Sequence, residues 1–378
     1  MSGRIHIGSY LFHYPHSCGT TFAARGLSRA LARNGFEATL YCCGQEHARI
    51  EAENREVPNR RVRCFEAQRS MHPFYVPGAL LKRLCRNDDG IDILLIHGNF
   101  NPHNIAVAIA AKSGGIPYIV CPSGLYHAEM FRKNRVRKAI YGVLFERPML
   151  RFATAIQVFA DTEFNALARY GITRQPMFMV PNGFDPDEIP APEPGEMVEP
   201  GDPSRTPSVI YLGRMDMHTK GLDLLVQAIA LGIRNGRLPA DLCIRCTGPD
   251  WGDKRALEEL AESLGVKQNI RFFGPVGDRE RWSVIFGCDL MVLASRHDSY
   301  PTTIIEAMAA GKPVLVSDQT GVSRLVERAK CGLLMYPDAV SICDTLAQAL
   351  ARRNEWRSMG ERGRATAYSE LTWQHIAY

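Results

Sequence analysis

The sequence predicts an α/β protein of two doubly wound, Rossmann-like domains facing a cleft. Three observations carry that reading. Short apolar runs alternate with longer helical patterns through the first half of the chain. The same alternation starts again in the second half. A proline-rich stretch separates the two series. Alternation of strand and helix patterns is the signature of a parallel sheet covered by helices. At roughly 150 residues per domain, the 378 residues accommodate two such units.

In the first series the strand candidates are RIHIGSY (4–10), EATLYCC (37–43), RVRCFEA (61–67), DILLIHG (92–98), PYIVCP (117–122), TAIQVFA (154–160) and MFMVP (177–181). Helical patterns cover 21–34, 104–113 and 162–170. Residues 183–207 then carry Pro186, Pro190, Pro192, Pro194, Pro200, Pro203 and Pro207. So many missing amide donors exclude a central strand or a helix interior, so the stretch is expected to be a linker. The second series is SVIYLG (208–213), DLCIRCTG (241–248), IRFFG (270–274), CDLMVLAS (288–295), PVLVS (313–317) and GLLMY (332–336). The expected division is an N-terminal domain over 1–182, the linker over 183–207 and a C-terminal domain over 208–378. The last helix is expected to pack back on the first domain. Ligands in such folds bind at the carboxyl ends of the strands.

Composition narrows the function classes. Hydrophobic residues make up 46% and charged residues 22%, which excludes a disordered chain. A net charge of +5 is too weak to argue for nucleic acid and suits anionic small molecules or an anionic membrane surface. The 11 cysteines lie mostly in strand-like runs and read as buried free thiols of a reducing cytosol. Cys243 and Cys246 form one C-x-x-C with no second pair, so zinc is not expected. His13 and His16 lack an evident third ligand, so no metal is expected there either. The N-terminus has no signal-peptide pattern, and no apolar run reaches the roughly 18 residues of a spanning helix. The expected location is the cytoplasm, with any membrane contact peripheral, on the inner face of the cytoplasmic membrane.

The first chemical motif is YLGRMDMHTKGLDLLVQAIA (211–230). A strand ends at Gly213 and Arg214 follows. Lys220 and Gly221 open a helix whose Leu222, Leu225 and Ile229 form one apolar face. Two cations beside helix-start amides suit a diphosphate. From spacing alone they are equally two solvated cations beside a turn.

The second motif is LASRHDSYPTTIIEAMAAGKPVLVS (293–317). Asp298 falls in the loop after a strand. Pro301 suits a first helical position, with Thr302 and Thr303 in the first turn. Glu306 lies one turn further, inside the run Ile304–Ile305 and Ala307–Met308–Ala309–Ala310. A lone acid in that setting needs a partner. Carboxylates accept directional hydrogen bonds from sugar or ribose hydroxyls. Otherwise Asp298 serves the helix dipole and Glu306 is a solvated helix residue.

Together these motifs resemble the retaining nucleotide-sugar glycosyltransferases of family four, which have the GT-B fold. The resemblance covers nearly the whole chain. It rests on the turn of Gly213, Arg214, Lys220 and Gly221, on the paired acids Asp298 and Glu306, on EAMAAGKPVLVS (306–317) and on VPNGFD (180–185). It implies that Arg214 and Lys220 bind the donor diphosphate, that Asp298 contacts the transferred sugar and that Glu306 contacts the ribose. By the same resemblance Gly19 and Gly213 let backbone approach the donor, Thr302 and Thr303 offer amides, and backbone around Val276 meets the base. Arg214, Lys220 and Asp298 are the implied catalytic residues.

The sequence departs from the family pattern in three places. The first acid is Asp where Glu is usual. The first strand–helix turn, YPHSCGTT (14–21), has Gly19 alone where two glycines are usual. A His-Gly usual after the fifth strand is here Ser123-Gly124, and Ser123 cannot replace an imidazole at neutral pH. His127 or His97 is left to contact the acceptor, each read otherwise as an ordinary core or loop histidine.

A third feature is the basic segment 131–152, FRKNRVRKAIYGVLFERPMLRF. Arg132, Lys133, Arg135, Arg137, Lys138, Arg147 and Arg151 stand against one acid, Glu146. Val136, Ile140, Val143 and Leu144 recur at helical spacing, predicting an amphipathic helix up to Pro148. That helix is expected either to lay its apolar stripe on the core or to dock on anionic lipid or an anionic acceptor.

The resulting expectation is sugar transfer from a nucleotide diphosphate sugar to a sugar or lipid-linked acceptor, with retention, in glycan, glycolipid or surface polysaccharide synthesis. No cofactor and no nucleic acid partner are expected. No strand-end D-x-D is present, since Asp185 and Asp187 fall in the linker, so metal independence is expected. A nucleotide-sugar epimerase of the same architecture, or an inactive binding homologue, are the alternatives.

Overall fold

The computed structural model describes residues 4–13, 19–44, 54–66, 76–124, 126, 135–202 and 206–377. The chain forms two compact units. One comprises Met1–Gly183 with Trp373–Tyr378, and the other Phe184–Thr372.

In the first unit the strands are β1 (His6–His13), β2 (Glu37–Cys43), β3 (Arg60–Phe65), β4 (Ile93–His97), β5 (Tyr118–Cys121), β6 (Ala155–Val158) and β7 (Met177–Met179). They lie in the order β3-β2-β1-β4-β5-β6-β7, and every pairing is parallel. The order reverses between β1 and β4, where Ile7 lies opposite Ile93. Such a switch point opens a crevice at the carboxyl ends of the strands. Leu94, Ile96 and Val120 are fully buried on the sheet, under Val107 and Ala111 of the helix Pro102–Ser113. Asn101 caps that helix by accepting from the His103 amide at 3.0 Å.

The second unit repeats the plan with β8 (Val209–Leu212), β9 (Ile244–Thr247), β10 (Ile270–Phe273), β11 (Leu290–Leu293), β12 (Val314–Ser317) and β13 (Gly332–Met335). Their order is β10-β9-β8-β11-β12-β13, again all parallel, with the switch between β8 and β11. The helix Leu222–Arg234 buries Leu222, Leu225, Val226 and Ile229 completely. Each contributes about 1.5–3 kcal/mol of apolar transfer.

The division between units falls at Gly183/Phe184, and the proline-rich stretch expected as a linker is tied to the second unit. The Val198 amide donates to the Phe286 carbonyl at 2.9 Å. The fully buried Asp289 accepts from the Gly201 amide at 3.2 Å and the Ser208 amide at 2.8 Å. Lys312, also fully buried, donates to the Val198 and Phe286 carbonyls. The short helix Trp373–Ile376 belongs to the first unit. Gly26 is where Trp373 packs: a Cβ there would stand 2.0 Å from the indole nitrogen.

The basic segment differs from its expected form. A helix over Arg135–Tyr141 runs into a π-helical turn over Gly142–Glu146 and then into a helix over Arg147–Phe152. Pro148 follows directly on the π-helical turn, where the change of hydrogen-bond pitch accommodates its missing amide donor. Val136, Ile140, Val143 and Leu144, offered as a core stripe, are exposed instead.

Candidate active site

The second unit gathers the two sequence motifs at the carboxyl edge of its sheet. After β8 the chain turns through Gly213 and Arg214 into a single helical turn, Met217–Lys220. Asp216 caps that turn, accepting from the His218 amide at 3.0 Å and the Thr219 amide at 3.2 Å. Burial opposes the charge on Asp216, yet hydrogen bonds from Thr219 and the nearby Arg214 charge hold its carboxyl below the usual range. Gly221 then joins this turn to the helix Leu222–Arg234. Its φ is +63°, and a Cβ there would lie 2.1 Å from the Ala294 carbonyl oxygen. Only glycine meets both conditions.

That close approach brings the loop after β11 onto the Lys220 turn. The Arg296 amide donates to the Thr219 carbonyl at 2.9 Å. The Arg296 guanidinium holds Asp223 through two bonds of 2.7 Å and also donates to the Met217 carbonyl. So fixed, the loop places Asp298 against Lys220, and the two form an ion pair across 78 positions of sequence. Both side chains are largely buried, at 15% and 14% exposure. Asp298 is also anchored by its backbone, its carbonyl accepting from the Gly321 amide at 2.9 Å. Arg214 stands 4.8 Å over the Trp251 ring, and the Tyr211 hydroxyl donates to the Arg214 carbonyl at 2.6 Å.

Beyond Asp298 the helix Thr302–Ala309 begins, with Pro301 just outside it at φ −67°. Thr302 and Thr303 lie in its first turn, whose amides have no acceptor within the helix. Ile304, Ile305, Ala307 and Met308 are fully buried. Glu306 is buried with them, and the partner that a lone acid requires is Arg281, 3.1 Å away on the helix Asp278–Phe286. Burial outweighs the Arg281 charge and lifts the Glu306 carboxyl to about 7. One of its oxygens is within 3.1 Å of Arg281 while the other, Oε2, has no hydrogen-bond partner among the described residues. Val276 packs partly buried in the loop after β10. There the Gly277 amide donates to Glu280 at 3.0 Å, at the start of the helix that carries Arg281.

In the first unit the structure brings together the start of the helix Gly19–Arg33 and the loop after β5. The helix Gly19–Arg33 opens at Gly19, where a Cβ would meet nothing within 4 Å. Thr20 donates to the Ser123 hydroxyl at 3.5 Å. Ser123 holds a φ of +53° and Gly124 one of +80°. For Ser123 that is a left-handed conformation which costs energy outside glycine and which clusters at functional loops. His97 ends β4 opposite Cys121. It is only 4% exposed, neither ring nitrogen has a hydrogen-bond partner among the described residues, and burial pushes its pKa down to about 4. The imidazole is therefore neutral at pH 7. His127 and His16 lie outside the described residues. Among the described residues no group of three or more His, Cys, Asp or Glu could hold a metal ion.

Sequence reasoning did not find Arg281, Trp251 or the Arg296–Asp223 clamp. Arg281 lies among the charges of GDRERW with nothing to set it apart. Asp216 was missed as well, although an Asp three residues before Thr219 is a helix-capping spacing that could have found it.

A glycosyl transferase 4-like domain model matches residues 19–183, and a glycosyl transferases group 1 model matches residues 195–366. Mannosylfructose-phosphate synthase of Agrobacterium fabrum is 28% identical over 215 residues, 55% of this chain and 47% of that protein. A D-inositol 3-phosphate glycosyltransferase of Nocardia farcinica is 31% identical over 213 residues, with the same two shares, 55% and 47%. The chain thus spans about half the length of the curated relatives it matches. Among solved structures, HepE of Anabaena in complex with UDP and glucose superposes with a TM-score of 0.75 at 18% identity, covering 99% of this chain and 97% of that one. Sucrose-phosphate synthase from Thermosynechococcus elongatus gives 0.74 at 20% identity, covering 99% and 96%. At such identities these likenesses establish the fold, two parallel-sheet α/β domains of the GT-B kind. With one family model on each half, the chain carries a glycosyl transferase 4-like domain followed by a glycosyl transferases group 1 domain.

Proposed function

We propose that this protein transfers a sugar from a nucleotide diphosphate sugar to an acceptor hydroxyl, with retention at the anomeric carbon. The observation that carries the reading is the meeting of Lys220 and Asp298 at the carboxyl edge of the second sheet, beside the open helix start at Thr302. A cation and free amides there suit a diphosphate, and a carboxylate beside them suits the hydroxyls of the attached sugar. Neighbours of this fold have been solved with UDP and with UDP-glucose, which supports a donor of that class.

In the reaction the bond between the anomeric carbon and the β-phosphate oxygen breaks. The electron pair leaves with the nucleoside diphosphate, and negative charge grows on its phosphate oxygens. Lys220, Arg214 and the Thr302 and Thr303 amides answer that charge, and such preorganised donors act where charge develops. The acceptor oxygen bonds to the anomeric carbon on the face from which the diphosphate departs, and its proton passes to the departing phosphate. Asp298 orients the sugar once Lys220 turns to the phosphate. Glu306 accepts from the ribose hydroxyls. No metal is assigned to this chemistry, because the cations and amides supply the countercharge.

The acceptor is a sugar or a lipid-linked sugar, met at the loops of the first unit around Ser123. The test is incubation with a panel of nucleotide sugars, with and without candidate acceptors. Acceptor-dependent release of nucleoside diphosphate supports transfer. Conversion of the donor to its epimer without an acceptor would make the protein an epimerase. Binding without either would make it an inactive homologue.

A further inference from the structure

We infer that the outer face of residues 135–152 is a docking surface for an anionic membrane, used peripherally. Met149 and Leu150 of this segment are buried in the core, but six of its apolar residues point outward. Val136 is 71% exposed, Ile140 56%, Val143 54%, Leu144 60%, Phe145 46% and Phe152 65%. Single exposed apolar residues are ordinary, but a contiguous stripe marks an interaction site. Val136, Ile140 and Val143–Leu144 follow one another at spacings of three and four, so they form one ridge along the helix and its π-helical turn.

Charge says what covers the ridge. Arg135, Arg137 and Arg151 are exposed beside it. Lys112, on the neighbouring helix, lies 4.0 Å over the Phe152 ring and extends the basic border. The segment's single acid faces the other way. Glu146 is fully buried, accepting from the Tyr126 hydroxyl at 2.7 Å and the Phe100 amide at 3.1 Å. The exposed side of 135–152 is therefore apolar and cationic, with no carboxylate. A protein partner of ordinary composition does not require that pattern. A lipid surface with anionic headgroups does: apolar side chains enter the boundary of the acyl chains while arginines stay among the phosphates. No helix among the described residues is long and apolar enough to cross a membrane, so the contact is with the surface.

The anchoring of Glu146 adds a functional consequence. Phe100 follows closely on His97 at the carboxyl end of β4. The docking face is thus fastened to the loop edge of the first sheet, where an acceptor would be met. A lipid-linked acceptor would reach that edge from the same surface. The docking itself does not depend on the transfer reaction, so its failure and the failure of the enzymatic reading are separable.

The experiment is co-sedimentation of the full chain with sucrose-loaded vesicles, of phosphatidylcholine alone or with one part in three phosphatidylglycerol. Wild type should sediment with the anionic vesicles, weakly with the neutral ones, and less as salt is raised. Each cation near the surface is worth about fivefold in partition, so Arg135→Gln/Arg137→Gln should weaken binding about 25-fold. Leu144→Asp should weaken it on the order of tenfold or more, and Leu144→Phe should keep it. All these positions are exposed, and circular dichroism with unchanged nucleoside diphosphate binding to the other unit would confirm folding. Absent binding by wild type, equal binding to neutral vesicles, or unchanged binding by the variants would each overturn the inference. So would a lipid-free dimer of wild type that Leu144→Asp dissociates, which would place a second copy of the chain on this face.

Discussion

Replacing Lys220 by Ala separates a structural loss from a catalytic one. In the structure Lys220 neutralises Asp298, and both side chains are about six-sevenths buried. Removing the amine leaves a carboxylate with no cation in a poorly solvated place. A fully buried pair broken in this way costs 3–5 kcal/mol, and residual solvent reduces the cost here to about 2 kcal/mol. For a unit of this size that lowers the melting temperature by about 4–8 °C. Adding Asp298→Asn removes the stranded charge, so the double variant should regain most of the lost stability. Turnover should behave differently. Loss of one preorganised charge stabiliser lowers it about 10²–10³-fold, and the double variant should remain at least that far down. The assay is nucleoside diphosphate release under saturating donor, run beside thermal melts of the three proteins. The reasoning is refuted if Lys220→Ala turns over within about threefold of wild type, or if the double variant recovers turnover along with stability.

Four further outcomes are expected. Asp298→Asn should harm sugar transfer more than binding of free nucleoside diphosphate, whereas Glu306→Gln should weaken the nucleotide itself by about tenfold to a hundredfold; calorimetric titration separates them, and equal losses would count against distinct roles. Because the Glu306 carboxyl is lifted from 4.5 to about 7, its ionisation opposes folding: its stability contribution is whole below pH 4.5 and lost as pH rises through 7, while nucleotide affinity rises over the same range. Both trends should vanish in Glu306→Gln, measured by melts and titrations from pH 5 to 8. Gly221→Ala should destabilise the second unit by about 3 kcal/mol or more, because its left-handed backbone and the Ala294 carbonyl both exclude a Cβ; a melt within 2 °C of wild type would contradict the packing described. Activity should persist in excess EDTA, and loss that manganese or magnesium restores would sink the metal-free mechanism.

Strands were the most legible part of the molecule, because most are short apolar runs ending in glycine, proline or a polar residue, as in VIYLG or LMVLAS. The proline-rich stretch, expected as a linker, falls with the second unit for a physical reason. Proline excludes regular structure, but the residues between the prolines keep their carbonyls and amides: Lys312 donates to the Val198 carbonyl and Asp289 accepts from the Gly201 amide, which ties the stretch to the second unit. Glu306 was legible as an acid out of place in an apolar run, yet its partner was not. Arg281 comes from another helix, and an exposed-looking arginine in sequence carries no sign of a distant carboxylate. The pairing of Lys220 with Asp298 was likewise invisible, since it depends on Gly221 admitting the Ala294 carbonyl and on Arg296 clamping Asp223. In the basic segment periodicity identified a helix, but the face of a helix that meets the core cannot be told from spacing alone. Here Glu146 turned inward to Tyr126 and Phe100, and the apolar ridge turned out.

The central claim is that the edge of the second sheet binds the diphosphate of a nucleotide sugar. Thermal melting of wild type, Lys220→Ala and Glu306→Gln with UDP, GDP, ADP and their sugars tests it most directly. A ligand at a hundredfold its dissociation constant stabilises the unit that binds it by about 2.7 kcal/mol. The account predicts a rise of about 5–10 °C in wild type for one base series, and a much smaller rise in each variant at the same concentration. No rise with any nucleotide, or an equal rise in wild type and both variants, would contradict it.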